Sequence, residues 1–357
     1  MANKFRIGVI GVGAIAGMHA RAIADIPSAE MVAASCRTEA KGRKFCDEFG
    51  GDWYADYNEL LDKAKPDVVT ICTPSGAHLE PSLAAFERGI HVLCEKPLEV
   101  DLERAKQMID AAEASTARLG GIFPQRFNPV VQTAYHAAND GRLGSLAASI
   151  AYVPWWRDDE YYAPSRWQGT KQLDGGGALI NQSIHAIDAM QWLAEAAGAG
   201  PAVEVFGCTA LRGHDSAHVE VEDTAVATVR FEKGPLGIIL ASTAMWPGDA
   251  MRFHIAGRDG TIEIHEQELV TWKFREEDPN DAAELERFGG KVGAGGAADP
   301  MAIDYSNHTR NIEDFLNAIT EEKSSLVEPS EAWKSLAIIR GIYESAESGQ
   351  PVKVASI

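Results

Sequence analysis

Phe5-Arg6-Ile7-Gly8-Val9-Ile10-Gly11-Val12-Gly13-Ala14-Ile15-Ala16 decides the fold of this 357-residue chain. An apolar strand runs directly into a G-x-G-x-x-A turn that opens a helix, the context in which such a run cradles a pyrophosphate. Gly11 permits the tight turn, Gly13 lets the backbone approach phosphate, and Ala16 allows close helix packing. Ala14 and Ile15 begin the helix, whose N-terminal amides attract an anion. Gly11, Gly13, Ala14, Ile15 and Ala16 are therefore the first candidate cofactor-binding residues.

Outward from this turn, apolar runs alternate with helical patterns as far as residue 124, the signature of βαβ units and a parallel sheet. Strands are expected at 5–10, 31–36, 67–72, 91–95 and 121–124, with helices at 14–26, 39–49, 57–64, 79–88 and 102–114. This is a doubly wound α/β dinucleotide-binding domain of the Rossmann type, residues 1–124. Beyond it the pattern changes to period-2 strands at 146–153, 203–208, 224–231, 236–243, 251–256, 261–265 and 269–274. Such alternation means a sheet with one face on a core and one face free. A Gly-, Ala- and acid-rich stretch at 278–300 reads as a flexible loop. Helices at 304–320 and 330–348 close a second domain, residues 125–357, for substrate binding and oligomerisation.

The tip of the second strand should read the adenosine ribose, where an Asp or Glu would select NAD. Ser35-Cys36-Arg37-Thr38 stands there instead. Arg37 suits a 2′-phosphate in planar, bidentate fashion, with Ser35 and Thr38 as further donors. Cys36, Arg37 and Thr38 therefore favour NADP(H). NAD(H) stays open if Arg37 only stacks on adenine or if Glu39 reaches round to the ribose. Thr73-Pro74-Ser75-Gly76-Ala77-His78 follows the next strand, with Ser75 as an expected helix cap. Thr73, Pro74, Ser75 and His78 are candidates to line the nicotinamide ribose, a surface helix histidine being the other reading of His78.

Glu95-Lys96-Pro97 ends the apolar strand His91-Val92-Leu93-Cys94. The carboxyl ends of strands in open α/β sheets are where ligands bind, so Glu95 and Lys96 point to a reactive site. A glycine loop, Asp174-Gly175-Gly176-Gly177, then feeds Ala178-Leu179-Ile180-Asn181-Gln182-Ser183-Ile184-His185-Ala186-Ile187-Asp188. On one continuous helix Asn181, His185 and Asp188 would share a face beside an apolar stripe of Ile180, Ile184 and Ile187. Gln125-Arg126-Phe127-Asn128 lies just past the last parallel strand. Arg126 and Asn128 are candidate substrate contacts, an interdomain salt bridge being the alternative for Arg126. Trp156 and Arg157, from Trp155-Trp156-Arg157, are further substrate candidates because aromatic faces stack on sugar C–H faces, although packing is the commoner use. Arg166 and Trp167 join the cofactor set.

Composition limits the function classes. A hydrophobic content of 45% with 24% charged residues is ordinary for a globular enzyme. A formal charge of −19 argues against nucleic acid or an anionic membrane as partner. Met1 to Arg6 run straight into a strand with no signal-peptide pattern, and no run reaches the roughly eighteen apolar residues of a membrane helix. A cytoplasmic location is expected. The five cysteines, Cys36, Cys46, Cys72, Cys94 and Cys208, lack Cys-x-x-Cys spacing and read as buried reduced thiols. No metal-ligand cluster is evident.

In order, the glycine turn, the Thr73-x-x-x-x-His78 segment, Glu95-Lys96-Pro97 and the triple-glycine helix resemble the Gfo/Idh/MocA oxidoreductases, the relatives of glucose-fructose oxidoreductase and inositol dehydrogenase. The resemblance spans nearly the whole chain. It implies an N-terminal Rossmann domain and a C-terminal α/β domain with an open, mainly antiparallel sheet, whose outer face often makes a dimer or tetramer contact. It implies a substrate cleft between domains and hydride transfer, with NADP or NAD, at a ring hydroxyl or keto group of a sugar, cyclitol or derivative. Lys96 matches the family's active-site lysine and His185 its catalytic histidine. Asn181 stands where many members have aspartate, which speaks against a carboxylate–histidine relay and leaves Asn181 to position a substrate hydroxyl.

A lysine must drop about 3.4 units from its usual value near 10.4 to be neutral at pH 7, roughly 4.6 kcal/mol, whereas a histidine starts near 6.5. This assigns His185 as general acid/base and Lys96 as the cation facing the developing alkoxide. Two other readings are a reductase of a non-sugar carbonyl or trans-dihydrodiol, and a non-catalytic dinucleotide-binding regulator. A regulator needs neither Lys96 nor His185.

Overall fold

The computed structural model describes residues 4–290 and 304–357. By contacts the chain divides into two compact units: residues up to Pro124 together with Asp304–Trp333, and residues from Gln125 onward together with Lys334–Ser356.

The first unit is built from β1 (Phe5–Ile10), α1 (Ala14–Asp25), β2 (Ala29–Ser35), α2 (Glu39–Phe49), β3 (Asp52–Tyr54), α3 (Tyr57–Ala64), β4 (Val68–Ile71), α4 (Leu79–Phe86), β5 (His91–Cys94), α5 (Leu102–Glu113) and β6 (Leu119–Gly121). Its six strands lie in the order β3-β2-β1-β4-β5-β6 and pair in parallel. Strand order reverses between β1 and β4, which makes their carboxyl ends the crevice of a doubly wound sheet. Ile7, Val9, Val68, Val69, Ile71, Val92 and Leu93 are all buried, as expected of strands covered on both faces. The three-residue β3 was not foreseen, being too short to show alternation.

The second unit carries α6 (Pro129–Asn139), β7 (Leu146–Pro154), a π-helical turn at Ala178–Gln182, α7 (Ile184–Ala196), β8 (Ala202–Ala210), β9 (Thr224–Phe231), β10 (Leu236–Ser242), β11 (Arg252–Gly257), β12 (Gly260–His265), β13 (Glu268–Phe274) and α8 (Asp281–Phe288). With β14 (Val352–Lys353) the strands form one sheet in the order β13-β12-β11-β7-β10-β9-β8-β14. Only the β7–β10 pair is parallel among the described pairs. Helix α7 packs on β7 and β11, where Ser149 Oγ donates to the Met190 carbonyl at 3.0 Å. On the opposite face Phe206, Val226, Leu236 and Ile238 are 42–56% exposed.

The expected loop at 278–300 is helical over α8; its remainder from residue 291 lies outside the described residues. Helix α9 (Ser306–Thr320) belongs to the first unit, where Ile312, Phe315 and Leu316 join a core with Ala16, Ala20 and Ile23 of α1. This differs from the expected domain boundary, which places the stretch in the second domain: an apolar stripe shows that a helix packs, not which sheet receives it. Helix α10 (Pro329–Ser348) follows.

Candidate active site

On the first unit, three turns leave the carboxyl ends of the adjacent strands β1, β4 and β5. The turn after β1 is fixed by backbone: the Gly11 N–H donates to the Ser35 carbonyl at 2.9 Å. Gly11 has φ +93°, and a Cβ there would lie 2.6 Å from the Cys72 backbone, so only glycine fits. A Cβ on Gly13 would meet no protein atom within 4 Å. Protein packing therefore does not demand that glycine, whereas close approach of a phosphate to the backbone would. Gly13 caps α1 without a side-chain hydrogen bond, which leaves the first-turn amides of Ala14 and Ile15 for an anion. Ala16 is fully buried. The residues fit a dinucleotide.

At the β2 tip, Ser35 is buried while Arg37 and Thr38 are exposed. Cys36 is half-buried and its carbonyl accepts from Trp53 Nε1 at 3.1 Å. Glu39 pairs with Arg43 at 2.8 Å on the surface, which occupies the one carboxylate that sequence reasoning offered to the ribose.

The turn after β4 differs from expectation in two respects. Ser75 does not cap α4 but begins a short 3-10 turn, Ser75–Ala77, and His78 occupies the cap position. His78 is neither a surface residue nor an open cofactor contact. It is 1% exposed, and its ring nitrogens face the carbonyls of Pro97 and Thr73 at 2.9 and 3.0 Å. The imidazole braces the Thr73-Pro74 turn against the turn after β5, while Thr73 Oγ1 donates to the Ala77 carbonyl at 2.9 Å.

Lys96 follows β5 directly, half-buried, with its peptide to Pro97 cis. Glu95 is 5% exposed, and one carboxylate oxygen lies 2.8 Å from His19 Nε2 while the other accepts the Lys96 N–H at 3.1 Å. Glu95 is thus held inside the protein by His19 and the Lys96 backbone. Burial alone would raise its pKa, but the His19 hydrogen bond and charge bring it down to about 2. For His19, burial lowers the pKa, yet the Cys72 sulfur and the Glu95 carboxylate outweigh it and push it up to about 10. Sequence reasoning missed His19 and its neighbour His308. The available signal was a polar residue inside an apolar helical stripe: Ala16, His19, Ala20 and Ile23 in α1, and His308, Asn311, Ile312 and Phe315 in α9.

On the second unit, Arg126 is fully buried, with Nε and Nη2 each 2.8 Å from the Asp188 carboxylate and its guanidinium 5.3 Å from the Trp192 ring centroid. Both ions belong to this unit, so the pair is not interdomain, and Asp188 is turned to Arg126 rather than to a ligand. Asn128 also differs from expectation: its Oδ1 caps α6 through the Val130 N–H at 3.2 Å.

The helix expected to carry Asn181, His185 and Asp188 is broken. Asn181 sits in the π-helical turn and His185 in the first turn of α7, with Ser183 between. π-Helical turns recur at functional sites. Ile180, Ile184 and Ile187 are each fully buried, so the apolar stripe survives the break, and Asn181 and His185 stay half-buried beside it. Asn181 Nδ2 donates to Asp174 at 2.6 Å, which fixes the amide orientation.

The preceding glycine loop is pinned by Glu222, another residue that sequence reasoning missed. Its carboxylate accepts from the Gly177 and Leu179 N–H groups, each at 2.9 Å, and from Tyr343 Oη at 2.9 Å. A Cβ on Gly177 would lie 1.7 Å from the Glu222 carbonyl, so the loop requires glycine there. Burial pushes the Glu222 pKa up.

Arg157 is buried, donates to the Trp156 carbonyl at 2.7 Å and lies over the rings of Trp155 and Tyr161. Trp156 stacks on His214 with 6.0 Å between centroids. Gln182 donates to Tyr161 Oη at 3.0 Å, and its Oε1 is buried with no hydrogen-bond partner among the described residues. Arg166 is exposed and Trp167 half-buried. All five cysteines are free thiols, but only Cys72 and Cys94 are buried; Cys208 is exposed. Side-chain donors spaced for a metal ion do occur, at His19, Glu95 and His308.

Two family models match this architecture. Residues 5–121 fit the Gfo/Idh/MocA oxidoreductase family's NAD-binding Rossmann fold, and residues 139–354 fit its C-terminal alpha/beta domain. The chain belongs to the Gfo/Idh/MocA oxidoreductase family. Among curated members, D-glucoside 3-dehydrogenase of Escherichia coli is 25% identical over 99% of this chain and 98% of its own length. Levoglucosan dehydrogenase of Pseudarthrobacter phenanthrenivorans is 28% identical over 85% and 84%. A solved member, the WlbA dehydrogenase from Bordetella pertussis in complex with NADH and UDP-GlcNAcA, superposes with TM-score 0.89, at 27% identity and with 99% of each chain covered. The chain is thus an NAD-binding oxidoreductase. No helix among the described residues is long and apolar enough to cross a membrane.

Proposed function

We propose that this oxidoreductase interconverts a ring hydroxyl and a ring ketone on a sugar, cyclitol or sugar derivative, with Lys96 as the cation and His185 as the general acid/base. The observation that carries the reading is Lys96 itself. It stands at the carboxyl end of β5, one strand from the β1/β4 reversal, with its backbone fixed by a buried carboxylate. The curated relatives named for glucoside and levoglucosan oxidation support the substrate class.

A bound nicotinamide supplies the hydride acceptor for oxidation and the donor for reduction. The protein's own part is proton and charge management. His185 removes the hydroxyl proton as general base and returns it in the reverse direction. The Lys96 ammonium opposes charge developing on the oxygen. Asn181, its amide oriented by Asp174, presents its carbonyl oxygen to a second hydroxyl. Arg126 and Asn128 do their work in place, holding α7 and starting α6.

We infer NADP(H) as the preferred cofactor from the exposed Arg37 and the engaged Glu39. Fluorescence titration with NADPH and NADH in parallel tests this: tighter NADPH is expected, with the preference lost in Arg37→Ala. Tighter NADH in the wild type would assign Arg37 to adenine stacking. The open sheet face supports a homodimer or homotetramer. Four neighbouring strands, β7, β10, β9 and β8, present Ile150, Leu236, Ile238, Leu240, Val226 and Phe206 on one side, an apolar strip of the kind that marks a subunit interface. Sedimentation equilibrium showing only monomer at micromolar concentration would contradict it.

A further inference from the structure

The most unusual group of side chains in the first unit is the one beneath Lys96. His19 is fully buried, its Nδ1 2.7 Å from Thr70 Oγ1 and its Nε2 2.8 Å from Glu95. Both ring nitrogens thus face oxygen, an arrangement that suits an imidazolium donating twice. His308 from α9 lies with its ring centroid 5.8 Å from that of His19, and its Nδ1 is buried with no hydrogen-bond partner among the described residues. Burial pushes the His308 pKa down to about 4, so it walls the pair as a neutral ring. The donor atoms of His19, Glu95 and His308 lie within 4.8 Å of one another, but the hydrogen bonds of His19 use both of its nitrogens. The geometry is that of an ion pair rather than an open ligand set.

A buried ion pair seldom stabilises a fold more than apolar packing of the same volume would, because desolvation offsets the attraction. Its advantage is a fixed direction and a fixed charge. Here both are delivered to one place: the second Glu95 oxygen accepts the Lys96 N–H at 3.1 Å, and the Lys96 charge in turn helps keep Glu95 ionised. The titratable groups facing Glu95 are His19 from α1, His308 from α9, Cys72 and Cys94 from the ends of β4 and β5, and Lys96 itself.

We propose that Glu95, held by His19, which Thr70 fixes in turn, is the positioning residue of Lys96: its carboxylate fixes the Lys96 backbone and its negative charge holds the Lys96 side chain in the ammonium form. The inference rests on the reading that Lys96 acts on the substrate. It adds that α1, β4 and α9 share in setting that lysine's charge.

Reductive methylation of the full-length protein with isotope-labelled formaldehyde gives each lysine an NMR signal whose shift reports its protonation, and Lys96→Arg identifies the Lys96 signal by its loss. In Glu95→Gln that signal is expected to titrate about one unit lower than in the wild type, the size an adjacent opposite charge produces. Glu95→Asp keeps the charge and serves where Glu95→Gln fails to fold. It is expected to titrate as the wild type does while turnover of NAD(P) with D-glucose, myo-inositol or levoglucosan falls at least tenfold, because the shorter side chain no longer reaches the Lys96 N–H. An unmoved Lys96 titration in Glu95→Gln, or a Glu95→Asp enzyme with wild-type turnover, would overturn the proposal. Full turnover in Lys96→Met would instead remove the reading beneath it, so the two failures are distinguishable.

Discussion

The turn that carries Lys96 and the turn that leads to His185 are each anchored by a buried glutamate, yet the two carboxylates are satisfied differently. Glu95 faces a cation, His19, and is held at a pKa of about 2. Glu222 faces neutral donors, the Gly177 and Leu179 N–H groups and the Tyr343 hydroxyl, and burial pushes its pKa up. One anchor fixes a charge as well as a position; the other fixes a position only. That division matches the assigned roles, since an ammonium works through its charge and a general base works through its placement and its own proton affinity.

The comparison breaks most visibly at His185. Changing it to Ala is expected to slow turnover by about 10²–10⁴, the usual contribution of a general acid or base, with partial recovery at high pH where hydroxide substitutes. A pH–rate profile unchanged by the substitution would exclude His185 as the base.

A smaller effect is expected at Glu222. Glu222→Gln turns an NH2 group toward one of the two N–H donors, leaving it unsatisfied, a cost of about 1–3 kcal/mol in urea unfolding. Stability equal to that of the wild type would mean the loop is held by Gly177 packing alone.

The two anchors also differ in the pH dependence of stability. Glu95 titrates lower in the folded protein than unfolded, so its contribution is present above pH ~4.3 and fades as pH falls toward 2. His19 titrates higher when folded, so its contribution is complete below pH ~6.5 and fades as pH rises to about 10. Glu222 also titrates higher when folded, so its contribution fades above pH ~4.3. Urea midpoints should therefore decline on the alkaline side, and His19→Gln should flatten that decline. A slope retained in His19→Gln would assign it to other groups.

Much of this was legible in the sequence because the decisive signals are local. The Gly11–Ala16 turn, the lysine at a strand end and the Ile180, Ile184, Ile187 stripe each lie within a dozen residues. What escaped was set by contacts distant in sequence. Glu222 reads as one more acid until it meets backbone N–H groups 43 and 45 residues away. His19 gains its partner 76 residues on. The π-helical turn at Ala178–Gln182 is invisible to a period-3.6 reading, which merged it with α7 and placed Asp188 on the reactive face, when its carboxylate closes on Arg126. Arg126 and Asn128 stand out in the sequence by their polarity just past the last parallel strand, and polarity does not distinguish a ligand contact from a buried ion pair or a helix cap.

The most direct test of the central claim is the rate at which D-glucose, myo-inositol and levoglucosan reduce NAD or NADP, followed by the absorbance of the reduced nicotinamide, in the wild type and in Lys96→Met. The account expects turnover of a ring alcohol by the wild type and a loss on the order of 10²–10³ in the variant, with NADH or NADPH binding preserved. Turnover in Lys96→Met equal to that of the wild type would contradict it.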